Sequence, residues 1–304
     1  MSKLAASIFR PTTLVLVLIF GTQASSNPVT LPTEYVSVTD FGNVFSPASE
    51  RIEQAIAAAE ATEHKTVFFP NGTYALRETI SLNLGADSEI HLIGESRDGV
   101  VLVPDKAYLE ANYNGASGPR VEHMINLTST SVFNSVDVSI QNMTVDMLDQ
   151  QVLGQNETYR TTGHGIRIGQ GWQTGQFTVN EVTIRNTQVY AVGIQDRDGH
   201  PKSNVTLSNL NIENTGSDGI DTKEASGDGN QNLVIRDVNI NQIGILDSGS
   251  ANGIDIRYTD ATIERVNLVS GPGAGGPRTA IAVRPGDRGD NATVSDVFGR
   301  GFSN

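Results

Sequence analysis

The chain has 304 residues, no cysteine, 31 glycines, 18% charged residues and a formal charge of −13. That length builds one large domain or two modest ones. The lack of thiols excludes a disulfide framework and a thiolate metal site, and the acidic balance argues against general nucleic-acid binding, which needs a basic footprint.

At the amino terminus, Lys3 and Arg10 precede an apolar run from Thr13 to Phe20 and then the small-residue stretch 21–26. This is the layout of a secretory signal peptide, with cleavage expected near Ala24. The run falls short of the ~20 residues that span a bilayer. Residues 27–304 are therefore expected to form the mature protein, secreted or periplasmic and not held in a membrane. Removal of residues 1–26 takes away two basic and no acidic residues, so the mature chain is more acidic still.

Residues 46–61 read as an amphipathic helix. Ser46 and Pro47 supply the N-cap and first-turn residues, and Ile52, Ala55, Ile56 and Ala59 form one apolar face. A strand at 66–70, a turn at Asn71-Gly72 and a strand-like stretch at 73–82 follow. A helix at this point would cover the first unpaired edge of the β structure. Further on, 105–120 and 154–162 read as insertions able to wall a groove.

From residue 138 onward two repeats interleave. One comprises VSIQNMTV (138–145), VTIRNTQV (182–189), VTLSNLNI (205–212), LVIRDVNI (233–240), ATIERVNL (261–268) and ATVSDVF (292–298). Its period-2 alternation means strands with one buried face. The column Asn142, Asn186, Asn209, Asp237 and Asp296 belongs at bends, where such side chains tolerate left-handed backbone. The other repeat comprises HGIRI (164–168), VGIQD (192–196), DGIDT (218–222), NGIDI (252–256) and TAIAV (279–283), spaced 26 to 34 residues apart. A period of that size with two or three short strands per repeat and no helices between them predicts stacked coils. The expected fold is a single-stranded right-handed parallel β-helix, an all-β solenoid, with an N-terminal capping helix. An irregular antiparallel β fold is the alternative.

Residues 35–82 resemble the N-terminal cap of the pectate-lyase-like β-helix superfamily, through Asp40-Phe41-Gly42 and Pro70-Asn71-Gly72-Thr73-Tyr74. Asn43-Val44-Phe45-Ser46 stands where an acidic loop is usual. The resemblance implies the β-helix fold. It leaves activity open, since the superfamily includes lyases, hydrolases, epimerases and phage tailspikes.

Aligning the second repeat on Ile166, Ile194, Ile220, Ile254 and Ile281 as inward residues places Arg167, Gln195, Asp221, Asp255 and Ala282 on the outer face. Gly169, Arg197, Lys223, Arg257 and Arg284 come two positions further on. Equivalent positions in stacked coils lie about 4.8 Å apart. The alignment therefore predicts a basic column, Arg197, Lys223, Arg257 and Arg284, beside Asp221 and Asp255. Such a stripe suits an acidic, uronate-containing polysaccharide. β-Elimination there needs the carboxylate neutralised, a base for the C5 proton and an acid for the leaving oxygen. Lys223 is the candidate base, with its pKa lowered by neighbouring cations, and Arg257 is the acid or clamp. Arg197 and Arg284 are subsite cations, Asp255, Arg167 and His164 further substrate contacts, and Asp221 an additional catalytic candidate. Asp218 and Asp221 are candidate ligands for Ca²⁺, the one cofactor expected. The pairs Asp221/Lys223 and Asp255/Arg257 also read as surface ion pairs with no catalytic part.

Two further resemblances compete. The stretch 214–221 is similar to the N-T-D-G-I-D motif of polygalacturonase-type hydrolases, and 163–169 to their G-H-G-I-S-I-G. Here the histidine motif comes first, and the Asp-Asp pair between the motifs is missing. In a hydrolase, Asp221 with Asp255 or Asp218 would be the acid and base. The stretch 190–200, with Tyr190, Asp196, Asp198 and His200, resembles the active-site motif of mannuronan C5-epimerases with broken spacing. His200 reads equally as a turn residue, and Trp172 either as a sugar-stacking residue or as local packing. A non-catalytic polysaccharide-binding or assembly module is the remaining reading. It is favoured by the absence of an evident C-terminal cap, which invites oligomerisation through the last coil.

Overall fold

The computed structural model describes residues 34–43, 45–85, 87–112, 121–129, 135–147, 163–169, 174–196, 204–224, 230–245, 251–257, 259–270, 279–284 and 292–302. Strands one coil apart along the chain pair in parallel, while successive strands mostly alternate between two sheets. A twelve-stranded sheet is built along the path Val36–Ser37, Thr66–Phe69, Ser88–Gly94, Ser135–Asp146, Thr174–Arg185, Asn204–Ser208, Asn230–Ile243, Thr259–Ser270 and Ala292–Arg300, with Gly72–Leu76, Val100–Pro104 and Asn211–Glu213 paired beside it. Facing it is a seven-stranded sheet of Ile80–Leu84, His123–Ser129, His164–Ile168, Val192–Asp196, Ile220–Glu224, Asn252–Arg257 and Thr279–Arg284. The described strands pair in parallel throughout the long sheet. The short sheet is parallel as well. The fold is the expected right-handed parallel β-helix, with its apolar residues stacked between the two sheets along the whole axis.

The coils bend where the backbone turns left-handed. The flanking register pairs put Asn142, Glu181, Asn209, Asp237, Arg265 and Asp296 side by side. All six have φ between 51° and 56°. A second ladder five residues on holds Asn186, Asn214 and Gln242, at φ 58°, 55° and 57°. Asn186 therefore belongs to the second ladder, not to the column of Asn142 and Asn209 as the repeats suggested. On that coil the first ladder is filled by Glu181, a residue type that gives no signal for the left-handed region. Side-chain bonds tie the rungs: Asn214 Nδ2 donates to Asn186 Oδ1 at 3.1 Å, and Asn186 Nδ2 to Asp146 Oδ1 at 2.8 Å. Arg265, another unexpected residue at positive φ, donates to both oxygens of Asp237 on the preceding rung, at 2.6 and 3.0 Å.

The bends also dictate glycine. A Cβ on Gly94 would run into the backbone carbonyl oxygen of Asn142, at the first bend of the next long coil. Backbone cannot give way as a side chain can. Gly94→Ala is expected to cost at least the ~1–3 kcal/mol typical of overpacking, read as a lowered midpoint in chemical denaturation. An unchanged midpoint would contradict the packing described.

The capping helix runs from Ala48 to Ala61 and buries Ala48, Ser49, Ile52, Ala55, Ile56 and Ala59. Its N-cap is Pro47, with no side-chain cap bond, whereas Ser46 and Pro47 were expected as N-cap and first helical residue. The reason is local: Ser46 Oγ accepts from the Asn43 backbone N–H at 3.2 Å instead of from the helix. Within 105–120, Lys106–Asn112 forms a short helix whose start is bonded by Asp105 Oδ1 to the Tyr108 N–H. The signal-peptide stretch, Trp172, 154–162 and 197–200 lie outside the described residues. No helix among the described residues is long and apolar enough to cross a membrane. Phe298, on the last described strand, is 63% exposed.

Candidate active site

The seven-stranded sheet sets the positions of the predicted site residues. Its inward column is Ile125, Ile166, Val192, Ile220, Ile254 and Ile281. Val192, not Ile194, pairs with Ile166 and Ile220, so one coil of the predicted alignment is out by two residues. A shift of two keeps every side chain on its own face and changes only its neighbours. The outer column therefore reads Asn126, Arg167, Gly193, Asp221, Asp255, Ala282. In the parallel outer column Lys223 pairs with Gln195, and Arg257 with Arg284. Arg197 was expected beside Lys223. The register gives that place to Gln195, and Arg197 itself lies outside the described residues, as does the side chain of Lys223. Of the predicted basic column, Arg257 and Arg284 are the side chains among the described residues.

Asp221 and Asp255 sit side by side on adjacent strands, at 0% exposure. Asp218 is buried beside them, just before the strand that carries Asp221. One carboxylate oxygen from each of the three lies within 4.8 Å of the others. Arg257 reaches back along its own strand to this cluster. Its Nη2 donates to Asp255 Oδ2 at 2.5 Å, its Nε to the same oxygen at 3.1 Å, and Nη2 stands 3.6 Å from Asp221 Oδ1. Arg284 Nη2 is 3.2 Å from Asp255 Oδ2. The two guanidinium groups are the solvent side of the cluster, with side chains 27% and 54% exposed. The expected outer-face acids are therefore not open groove residues. They are buried beneath arginines.

Smaller contacts lock the backbone under the cluster. The Asn252 N–H donates to Asp218 Oδ1, and Thr222 Oγ1 accepts from the Arg257 N–H at 2.7 Å. Asn252 Nδ2 reaches Asp255 Oδ2 at 3.4 Å. Burial works against a charged Arg257, but the Asp255 hydrogen bond and the charges of Asp221 and Asp255 outweigh it and raise its pKa above the ordinary value. Arg257 is held as a cation against these acids.

His164, expected as a substrate contact, is buried. Its ring packs between those of His123, at 4.7 Å between centroids, and Tyr190, at 4.9 Å. Gly193 makes room for it: a Cβ there would meet His164 Nδ1 at 2.7 Å. The column ends at the acids, since the Tyr190 phenol is within hydrogen-bonding reach of Asp221. Burial first, then the negative charges of Asp221 and Asp218, push the Tyr190 pKa well up, so the phenol stays neutral. Arg167 stands on the outer face as predicted, with Nη1 donating to Asn126 Oδ1 at 3.0 Å. His123 escaped the sequence reading, although His123-Met124-Ile125-Asn126-Leu127 repeats the pattern of HGIRI one coil earlier.

Ca²⁺ takes about six to eight oxygen ligands, and three clustered aspartates are a fair start. As they stand, however, the residues are arranged for a guanidinium rather than for Ca²⁺. Arg257 already faces two of the acids, and an Asp218 oxygen is engaged by a backbone N–H.

A family model described as "Rhamnogalacturonase A/epimerase, pectate lyase-like" matches residues 35–270. The chain belongs to this family. The match takes in the cap and every strand of the carboxylate cluster. No curated protein matches in sequence. Among solved structures, the chain is similar at 14% identity to the A-module of the Azotobacter vinelandii mannuronan C-5 epimerase AlgE6, with 88% of this chain and 100% of that one covered at a TM-score of 0.40. The Agl-KA catalytic domain is also similar, at 14% identity and a TM-score of 0.32. There 90% of this chain is covered, and the chain spans 66% of that domain's length. The catalytic domain of a GH87 alpha-1,3-glucanase follows at 12% identity, 90% and 70% coverage and a TM-score of 0.25. At these TM-scores the likenesses carry no argument, and the pectate-lyase-like assignment rests on the family match.

Proposed function

We propose that this pectate-lyase-like protein is a secreted glycoside hydrolase acting on a uronate-containing polysaccharide. The observation that carries the proposal is the gathering of Asp218, Asp221 and Asp255 with Arg257 and Arg284 on the outer face of one sheet. Buried ion pairs are poor sources of stability, and apolar residues of similar volume often serve a fold better. Clusters of this kind are characteristic of sites that move protons. The family description, which names a rhamnogalacturonase and an epimerase together, supports a carbohydrate-active enzyme.

In this reading Asp255, which accepts from Arg257 and is ion-paired with Arg284, takes the proton of the attacking water. Once the polymer draws Arg257 and Arg284 aside from the buried acids, Asp221 in its protonated form delivers that proton to the glycosidic oxygen as the bond to the anomeric carbon breaks, and Asp255 keeps the proton taken from the water. Tyr190 remains neutral and holds Asp221 in place. The exposed parts of Arg257 and Arg284 meet the uronate carboxylates of the polymer. β-Elimination is less well supported, because the register pairs Lys223 with Gln195 and not with a second cation. The export signal read in the sequence puts the reaction outside the cytoplasm.

Incubation of the mature protein with polygalacturonate, a rhamnogalacturonan and alginate tests this, with reducing ends and ultraviolet absorbance followed together. New reducing ends without absorbance are expected. An absorbing, unsaturated product would overturn hydrolysis in favour of elimination, and Lys223→Ala would then be the variant to abolish it. No product from any polymer would replace the enzyme with a polysaccharide-binding module.

A further inference from the structure

We propose that Arg257 is the resident cation of the carboxylate cluster, standing where a divalent ion would otherwise bind, so that the protein works without metal and acquires a Ca²⁺ site when Arg257 is removed. The inference rests on reading this cluster as the active centre, but its readout is ion binding. A protein that cleaved nothing would still give the answer.

The geometry is that of an occupied cage. Asp218, Asp221 and Asp255 present oxygens within 4.8 Å of one another, a spread that one ion with oxygen ligands at about 2.3–2.6 Å can bridge. The Arg257 Nη2 stands against two of these acids, 2.5 Å from Asp255 Oδ2 and 3.6 Å from Asp221 Oδ1. A second oxygen, Asp255 Oδ1, is buried without a hydrogen-bond partner among the described residues. It is a further ligand atom that the guanidinium does not use.

Charge leads to the same conclusion. Among the described residues, three aspartates carry three formal negative charges, and Arg257 with Arg284 returns two positive ones. A divalent ion added to that set would sit beside a fixed guanidinium and make the cluster positive. With Arg257 gone the remainder is two negative charges in a buried place, which one Ca²⁺ neutralises. Burial makes the compensation compulsory, since charges without a partner are costly in a low-dielectric interior. The absence of water-exposed area on Asp221 and Asp255 adds to this. Arg284, 3.2 Å from Asp255 Oδ2 with its side chain 54% exposed, stays as the second cation.

The test is Ca²⁺ titration by calorimetry, with thermal unfolding in Ca²⁺ and in chelator, on the full-length wild type, Arg257→Ala and Arg257→Ala/Asp221→Asn. Wild type is expected to show no saturable binding and the same melting temperature in both conditions. Arg257→Ala is expected to melt lower in chelator, to bind one Ca²⁺ per chain and to regain melting temperature with it. The second substitution is expected to abolish that gain. Saturable Ca²⁺ binding by wild type, lost in Asp221→Asn, would overturn the proposal. So would an Arg257→Ala protein with a β-type circular dichroism spectrum that ignores Ca²⁺. If Arg257→Ala folds only when Ca²⁺ is supplied, the proposal stands. If it folds in neither condition, the wild-type titration decides.

Discussion

Asp221→Asn is expected to leave the coil stack folded and to lower hydrolysis by about 10²–10⁴-fold, the range for loss of a general acid or base. The substitution keeps volume and planarity, so the packing of a fully buried side chain is preserved. Asp221 sits between the Tyr190 phenol and the Arg257 guanidinium, next to Asp218 and Asp255. An amide in that place still bonds to Tyr190 but can no longer deliver a proton at useful pH. Asp255→Asn should be as damaging to turnover and worse for stability, because its Oδ2 collects hydrogen bonds or close contacts from Arg257, Arg284 and Asn252. The measurement is initial rate by reducing ends, with circular dichroism to confirm folding. Wild-type turnover in a folded Asp221→Asn would remove this residue from the chemistry, and with it the hydrolytic mechanism.

The second large effect is on acid stability. Burial, aided by the positive charge of Arg167, lowers the pKa of His123 to about 4. The unfolded chain takes up its proton near the ordinary value of 6.5, and the folded chain not until about 4. The stabilisation from a neutral buried imidazole is therefore whole above pH 6.5, declines as pH falls from 6.5 to about 4, and is gone below that. At about 1.4 kcal/mol per pH unit across this window, the loss comes to about 3 kcal/mol. His123→Phe keeps an aromatic ring against His164 and removes the titration. Denaturation midpoints at pH 7 and pH 4.5 should differ markedly less in His123→Phe than in wild type. Parallel pH dependences would show that His123 is not the group responsible.

Much of the fold was legible in the sequence. Period-2 patterning in strands such as VTLSNLNI, coils of 26 to 34 residues and Asn or Asp at the bends led to a parallel β-helix. The positive φ at Asn142, Asn209, Asp237 and Asp296 is the structural counterpart of that column. The helix at Ala48–Ala61 buries the four apolar residues expected of it. The errors arose where the sequence is degenerate. In Ala191-Val192-Gly193-Ile194, a small residue precedes a β-branched one twice, two positions apart. Either pair satisfies alternation, and only the hydrogen-bonded ladder chooses Val192 as the partner of Ile166 and Ile220. The same ambiguity hid Glu181 behind Asn186, because VTIRN copies the bend motif five residues late.

The site was half legible. Asp218 precedes its strand and could not be placed from spacing, but Asp221, Asp255, Arg257 and Arg284 could be placed on one outer face from spacing alone, since the face of a strand residue follows from its parity. Their protonation chemistry could not. Whether an outward aspartate meets water or an arginine depends on which side chains from neighbouring coils lean over it, and that is set by rotamers and by backbone brought from about 30 residues away. The sequence by itself determined a coiled stack of strands, its capping helix and the sign of the charges on one face. Only the tertiary structure decided that Asp221 and Asp255 are buried, that Arg257 is held against both of them, and that His123, His164 and Tyr190 stack into a column ending at Asp221. Alternation is a local property of the backbone, whereas burial and pairing are sums over neighbours that the chain brings together only when it coils.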